Sequence, residues 1–147
     1  YGELESKLAA VSERRDTAHA EIKQIENRAA ELSLVMKHAA TYRQLKPIYD
    51  RYRKSGDKEK FLRGHESEII LFEAAARELK RLGAVPLPTT ESMKTELANL
   101  NAEKERLLME YKTARTEAQE YDTIKQNVDA LLTVPKEQEQ QRRHELE

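Results

Sequence analysis

Apolar residues recur along the first third of the chain at alternating steps of four and three residues. The positions are Leu4, Leu8, Val11, Ala18, Ile22, Ile25, Ala29, Leu32, Met36 and Ala39, and Arg15 is the polar member of the series. A 3.5-residue period kept over more than five heptads is typical of a coiled coil. The pattern predicts a long helix over residues 2–54.

Pro47 lies inside this predicted helix, close to its end. Proline lacks a backbone N–H and its ring clashes with the preceding turn, so we expect a kink near Pro47. The apolar spacing continues beyond it through Tyr49 and Tyr52. The pattern does not decide between one bent helix and two separate helices.

Two further apolar series predict helices over residues 58–82 and 90–133. Asp57, and Thr89 or Thr90, are the expected N-caps of these helices. Glycine and proline are expected to reverse the chain between helices, at Gly56, Gly83, Pro86 and Pro88. Gly56 should do so with a positive φ. We expect Pro135 to end the third helix and the polar residues 134–147 to form a disordered tail.

The predicted architecture is all-α, a coiled-coil helical bundle. Its two long helices run parallel, and the shorter helix lies antiparallel between them. A single elongated domain over residues 1–133 would hold a bundle over about 30–115, an overhanging segment over about 2–29 and a C-terminal helix extension to 133. Both overhangs keep apolar residues, so we expect a homodimer or a helical protein partner. The candidate interface residues are Leu8, Val11, Ile22, Ile25, Ile124, Val128 and Leu131.

The composition agrees with long helices, because 36% of the residues are charged and only four are Gly and four Pro. The sequence has no cysteine, which excludes a disulfide framework, a thiolate metal site and a thiol nucleophile. No apolar run is long enough for a membrane helix, and the first residues lack the features of a signal peptide. We expect a fragment of a longer chain, since no initiating Met is present.

Positive charge concentrates where the first helix is predicted to end. We call residues 43–63 the basic turn, because eight basic residues there stand against three acidic ones in a chain of formal net charge −1. Its cations are Arg43, Lys46, Arg51, Arg53, Lys54, Lys58, Lys60 and Arg63. They could complement the dipole of the helix end, or they could contact DNA phosphates weakly and without sequence preference.

Other candidate chemistry is sparse in the sequence. The four histidines, His19, His38, His65 and His144, are far apart and lack metal-binding spacing. No Gly-rich phosphate loop and no nucleophile motif is present. The tyrosines on the helical faces are expected to pack rather than to react. We therefore expect no enzyme activity, no cofactor and no metal in this chain.

Five short patterns follow one another between Tyr52 and Leu132. They are Tyr-Arg-Lys-x-Gly-x-x-x-x-Phe from Tyr52, His-Glu-x-x-Ile from His65, Leu-Pro-Thr from Leu87, Glu-Lys-x-x-x-x-x-Glu-Tyr from Glu103 and Asn-Val-Asp-x-x-Leu from Asn127. With the Glu/Gln/Arg/His-rich end of the chain, this order resembles the C-terminal helical region of relaxases. These are the mobilization nucleases of conjugative and integrative elements of Firmicutes. The resemblance covers about residues 20–147.

The resemblance implies a non-catalytic helical interaction or oligomerisation module in a cytoplasmic DNA-transfer protein. In that family an N-terminal domain nicks DNA with a tyrosine and a metal held by histidines, and this chain matches none of that part. The implied partners are a nuclease domain in the same polypeptide and other transfer or coupling proteins, with no membrane contact. A generic coiled-coil scaffold or spacer unrelated to conjugation is the alternative.

Overall fold

The chain forms three α-helices. The computed structural model describes the backbone of residues 2–146 and the side chains of residues 2–133. The helices are α1 (Gly2–Lys54), α2 (Lys58–Arg81) and α3 (Thr90–Leu146). No strand occurs among the described residues. The predicted all-α class is confirmed.

α1 is one helix of 53 residues that continues through Pro47. The proline removes one backbone donor, so the carbonyl of Arg43, four residues earlier, loses its helical partner. Aromatic packing holds the last turns in place, since Tyr49 stacks on Phe72 of α2 with ring centroids 4.3 Å apart. The structure thus has a single helix where the sequence pattern left two alternatives open.

Ser55, Gly56 and Asp57 form the turn between α1 and α2. The Asp57 carboxylate accepts a hydrogen bond from the Lys60 backbone N–H at 3.1 Å, which confirms Asp57 as the N-cap of α2. Ser55 Oγ accepts from the Asp57 N–H at 3.3 Å. The prediction of a positive φ at Gly56 is wrong, because among the described residues only Gly83 has one. Side-chain hydrogen bonds shape this turn, so no left-handed residue is needed.

α2 contains one residue with non-helical backbone angles, His65, with φ −136° and ψ 23°. Gly64 precedes it, and glycine is a poor helix former. His65 Nδ1 lies 2.8 Å from Glu68 Oε2, and the imidazole centroid lies 4.5 Å from the ring of Phe61. The irregularity is invisible in the apolar spacing, which continues on either side of it.

A Schellman motif ends α2. The Gly83 N–H donates to the Lys80 carbonyl at 3.1 Å, and the Ala84 N–H donates to the Leu79 carbonyl at 2.9 Å. Gly83 has φ of 71°, which glycine adopts without a Cβ penalty. Leu79 and Ala84 also share the apolar core. The predicted cap at Gly83 is confirmed, and Leu82 is the C-cap rather than the last helical residue.

Residues 82–89 connect α2 to α3 and include a cis peptide bond between Val85 and Pro86. Thr89 is the N-cap of α3, since its Oγ1 accepts from the Ser92 backbone N–H at 3.1 Å. The Ser92 hydroxyl donates in return to the Thr89 carbonyl at 2.9 Å. The first of these bonds satisfies one of the backbone N–H groups that the first turn of a helix leaves without partners.

Residues 24–102 form one compact unit with a core to which all three helices contribute. Its buried members are Leu32, Val35, Ala39, Leu79, Ala84 and Met93. Tyr52 contacts Phe61, and Tyr42 stacks on Phe72, so α2 runs antiparallel to α1.

In the same unit α3 also runs antiparallel to α1. The Arg43 guanidinium donates to Thr90 Oγ1 at 2.9 Å at the start of α3. Arg28, earlier on α1, meets Glu96, later on α3, through hydrogen bonds of 2.7 and 3.2 Å. The hydrogen bonds to the Glu96 carboxylate raise the pKa of the Arg28 guanidinium. Both side chains are more than a third exposed, which limits their contribution to stability to under about 1 kcal/mol.

The described residues up to Lys23 and those from Glu103 onward form a second compact unit, built from α1 and α3. One buried cluster in this unit consists of Val11, Ala114 and Ala118, with Leu8 and Tyr121 packed against them. Two ion pairs cross this helix pair, Arg14 with Glu117 at 2.9 Å and Glu5 with Lys125 at 3.8 Å. Residue numbers rise along one helix as they fall along the other, so the pair is antiparallel.

The predicted parallel arrangement of α1 and α3 is therefore wrong. The turn at Gly56 reverses the chain, but the segment with Gly83, Pro86 and Pro88 does not, because α2 and α3 both run antiparallel to α1. Eight extended residues span up to about 26 Å, which lets α3 begin beside α1 instead of turning back. The predicted overhang over residues 2–29 is wrong for the same reason. Pairing with α3 removes apolar residues such as Val11 from water.

α3 continues to Leu146, beyond the predicted end at residue 133. The expectation that Pro135 ends the helix is wrong. Lys, Glu, Gln and Arg dominate the sequence after Pro135, and these residues have high helix propensity. The predicted disordered tail over 134–147 accordingly has a helical backbone over 134–146, and Glu147 lies outside the described residues.

Candidate nucleic-acid interface

The basic turn lies in the compact unit of residues 24–102 and joins the end of α1 to the start of α2. Because the two helices are antiparallel, cations before and after the turn lie at the same end of the helix pair. All eight are exposed. They divide into four cations that make contacts within the chain and four that make none.

Two of the engaged cations hold α1 in place. The Arg43 guanidinium donates to the hydroxyl of Thr90 and to the carbonyl of Pro88, and so joins α1 to the start of α3. Lys46 forms an ion pair of 3.1 Å with Asp50, one turn further along α1. These contacts give both residues a structural role.

The other two engaged cations contact α2. The Arg51 guanidinium lies 5.8 Å from the centroid of the Phe61 ring, within the range of a cation–π contact. Arg63 Nε lies 3.5 Å from the backbone carbonyl of Glu59, at the long limit of a hydrogen bond. Arg63 therefore keeps most of its donors available.

We call Arg53, Lys54, Lys58 and Lys60 the four unpaired cations. In the part of the chain that the structure describes, their side chains make no hydrogen bond, ion pair or ring contact. Arg53 and Lys54 lie in the last turn of α1, where positive charge complements the helix dipole. Lys58 and Lys60 lie in the first turn of α2, at the positive end of its dipole, where cations are unfavourable. The dipole explains the first pair but not the second.

The acidic residues of the turn are largely occupied by the fold. Asp50 pairs with Lys46, and Asp57 accepts the capping hydrogen bond from the backbone of Lys60. Glu59 is exposed. None of these three carboxylates forms an ion pair with the four unpaired cations, and the basic turn keeps an excess of positive charge at the surface.

Aromatic rings connect α1 to α2 beneath the basic turn. The contacts run from Tyr42 to Phe72, on to Tyr49 and Tyr52, then to Phe61 and His65, with centroid distances of 4.3 to 6.1 Å. Each of these rings is partly or fully buried. They pack the helices together, so bases of a nucleic acid would find no ring presented for stacking.

The predicted interface residues fall into three groups. Val11 and Ile22 are buried within the chain, at 7% and 6% exposure, so a partner is not needed to cover them. Leu8, Ile25 and Val128 are half-buried. Ile124 and Leu131 stay exposed, at 47% and 72%. The structure therefore brings Leu8 and Val11 into the α1–α3 core and leaves Ile124 and Leu131 outside it.

Sequence reasoning missed an exposed apolar pair on α2, Ile70 and Leu71. They are 53% and 54% exposed, while their neighbours Ile69 and Phe72 are buried. The signal was the run of four apolar residues from Ile69 to Phe72, which is one turn of helix and must place some of them away from the core.

Among the described residues, no group of three or more His, Asp or Glu side chains is placed to hold a metal ion. No described helix is both long and apolar enough to cross a bilayer. Comparison of the chain with protein-family models, curated proteins and solved structures gives no match.

Proposed function

We propose that this chain is a non-catalytic helical interaction module of a conjugative DNA-transfer relaxase, and that its basic turn contacts the phosphate backbone of DNA. The observation that carries the contact is the group of four unpaired cations. The resemblance to the helical region of relaxases supports the cellular setting, a cytoplasmic protein that handles DNA. A non-catalytic role agrees with a chain whose apolar residues are used for helix packing.

Lys58 and Lys60 provide the strongest support. Cations at the N-terminal end of a helix cost stability, and a single Glu or Asp in their place would be favourable. An anionic partner bound at this end of α2 would offset that cost. The partner that fits a row of exposed, flexible cations is a polyanion with repeated charges, because no fixed pocket is needed to bind it.

The contact is expected to be independent of DNA sequence. Lys and Arg side chains that meet phosphates position a protein on DNA but do not read bases. The rings near the turn are used for packing between α1 and α2. If four phosphates are neutralised, log K should fall with log salt at a slope of about −3.6. Affinity should then fall about 150-fold between 50 and 200 mM salt.

The experiment is fluorescence anisotropy of the full chain with a labelled duplex and a labelled single strand at low salt. Arg53→Glu/Lys54→Glu/Lys58→Glu should lose binding to both. A control with the same change in net charge is Lys37→Glu/Lys94→Glu/Lys112→Glu, at exposed positions outside the basic turn. The control should bind like the unmodified chain.

Three results would count against the proposal. An equal loss of DNA affinity in the turn variant and the control variant would mean that only the total charge of the chain matters. Equal binding by the turn variant and the unmodified chain would exclude the turn as the contact. If neither the unmodified chain nor either variant binds DNA, the alternative hypothesis, a coiled-coil spacer, would explain the chain better. The relaxase setting has a separate test, the sequence of the genomic locus, where a nuclease domain with clustered histidines and a tyrosine should be encoded in the same reading frame.

A further inference from the structure

The face of α2 that points away from the core carries an ordered series of side chains. Ile69, Phe72 and Leu79 are buried, and the exposed pair Ile70 and Leu71 lies on the opposite side of the helix. One turn away on either side lie two small residues, Ser67 and Ala74. One further turn away lie Glu78 and, before the irregular residue His65, Arg63, which stays exposed. We call these six residues the outer α2 face: Arg63, Ser67, Ile70, Leu71, Ala74 and Glu78.

The outer α2 face is complementary to itself. A two-fold axis through the midpoint between Ile70 and Leu71 would relate each residue of the face to another member of it. Ile70 would then meet Leu71, an apolar pair. Ser67 would meet Ala74, a pair small enough for the two helices to approach closely.

Under the same two-fold axis, Arg63 of one copy would meet Glu78 of the other, a pair of opposite charge. Symmetric contact between two copies requires this kind of self-complementarity, because the same patch serves both partners. We propose that the outer α2 face binds the outer α2 face of a second copy of this chain, with the two helices antiparallel.

The charged residues are in a suitable state for this contact. Arg63 is exposed and only its Nε makes a contact within the chain, with the Glu59 carbonyl at 3.5 Å. Glu78 is held by Arg81, whose Nη2 lies 2.7 Å from Oε2. The hydrogen bond from Arg81 also lowers the pKa of Glu78, so this carboxylate is ionised at neutral pH. A carboxylate has further acceptor positions, so Glu78 can receive the partner copy's arginine without losing Arg81.

One contact in this arrangement is unfavourable. Lys60 of one copy would lie near Arg81 of the other at each end of the shared face. Both are long, exposed side chains, and solvent and salt screen such a repulsion. A single pair of helices is also a small interface. The dimer should therefore form and dissociate reversibly, at micromolar protein concentrations.

This inference is separate from the proposed DNA contact, which uses the four unpaired cations. It differs as well from dimerisation through the predicted interface residues, of which Val11 and Ile22 are buried within the chain. Sedimentation measures the dimer in the absence of DNA. A chain that stays monomeric would therefore leave the proposed phosphate contact untouched, and a chain that does not bind DNA could still dimerise.

The experiment is sedimentation equilibrium of the full chain between about 5 and 500 µM. The unmodified chain should approach the mass of a dimer at the upper concentrations. Arg63→Glu would place two carboxylates at each end of the interface, and Glu78→Lys would place two cations there. Each variant alone should associate at least about tenfold more weakly. An equimolar mixture of the two variants should recover association, because every end of the mixed dimer then pairs opposite charges.

The mixture guards against a trivial result, since recovered association requires that both variants are folded. Ile70→Ser/Leu71→Ser should abolish association, whereas Met109→Ser, an exposed apolar residue on α3, should leave it unchanged. Circular dichroism of each variant checks that the helices are intact. A monomer at all concentrations would overturn the proposal. So would a dimer that tolerates Ile70→Ser/Leu71→Ser, or a mixture that stays monomeric.

Discussion

Gly83→Ala isolates the energetic cost of ending α2 with a left-handed residue. The position has φ of 71°, and a Cβ built on it would meet no atom within 4 Å. Steric conflict with neighbouring residues is therefore not a factor. The substitution changes only the backbone preference at the C′ position of the Schellman motif, where alanine must adopt the left-handed conformation that glycine adopts freely.

The expected cost follows from that preference. A left-handed conformation costs an L-residue roughly 1–2 kcal/mol, and the two Schellman hydrogen bonds hold Gly83 in it. For a chain of this length, 1 kcal/mol corresponds to a fall of about 3 °C in the melting temperature. Chemical denaturation in urea, followed by circular dichroism at the helix band, measures the free-energy difference directly.

Gly56→Ala is the matched control, because Gly56 also lies in a connection between helices and a Cβ there would meet no atom within 4 Å. Its φ is not positive. Alanine should be neutral or should stabilise the chain by up to about 1 kcal/mol, since it restricts the unfolded chain. Equal costs at both positions, or a greater cost at Gly56, would refute this account of the two connections.

Three further substitutions test the packing and the surface charges. Leu32→Ala should lower the free energy of unfolding by about 3 kcal/mol, because Leu32 is 2% exposed in the three-helix core. Leu34→Ala, at a 43% exposed position, should leave it nearly unchanged, and urea denaturation of both variants measures the difference. The Arg106 guanidinium, hydrogen-bonded to Glu103, holds the pKa of that carboxyl below its usual value, so their contribution to stability is present at neutral pH and is lost as the pH falls through the lowered pKa. Glu103→Gln should therefore lower the melting temperature slightly at pH 7 and not in acid; a difference that grows in acid would contradict this sign.

The helices were predictable from the sequence because their signals are local. Asp57 and Thr89 precede apolar series and cap the helices that follow, and Gly83 ends α2 as expected. Alanine occupies several heptad positions. Ala39 and Ala114 are 0% and 1% exposed, so these positions allow close contact between helices.

The direction of α3 was not predictable, because a heptad pattern is the same in parallel and antiparallel pairs. The direction depends on long-range contacts such as that between Arg14 and Glu117, which are 103 residues apart. The connection with Pro86 and Pro88 interrupts the helix, but it does not fix the direction in which the next helix runs.

The candidate site was predictable in composition and not in detail. Eight cations in the basic turn are evident from the sequence. The partners that separate the engaged cations from the unpaired ones are partly distant, as Thr90 is from Arg43, 47 residues away. The outer α2 face was missed because it requires knowledge of which side of α2 meets the core.

The central structural claim is that α1 and α3 of one chain pair antiparallel and so cover the apolar residues that a parallel arrangement would expose. The chain has no cysteine, so a pair introduced at Arg14→Cys and Glu117→Cys can be joined selectively by a short bis-maleimide. Dilute protein and mass spectrometry of the digested product restrict the readout to links within one chain. The antiparallel pair predicts a rapid intramolecular link, because the native side chains approach to 2.9 Å. Lys7→Cys with Met109→Cys, exposed positions about 15 residues out of register, should not link. A link in the second pair without one in the first would contradict the account.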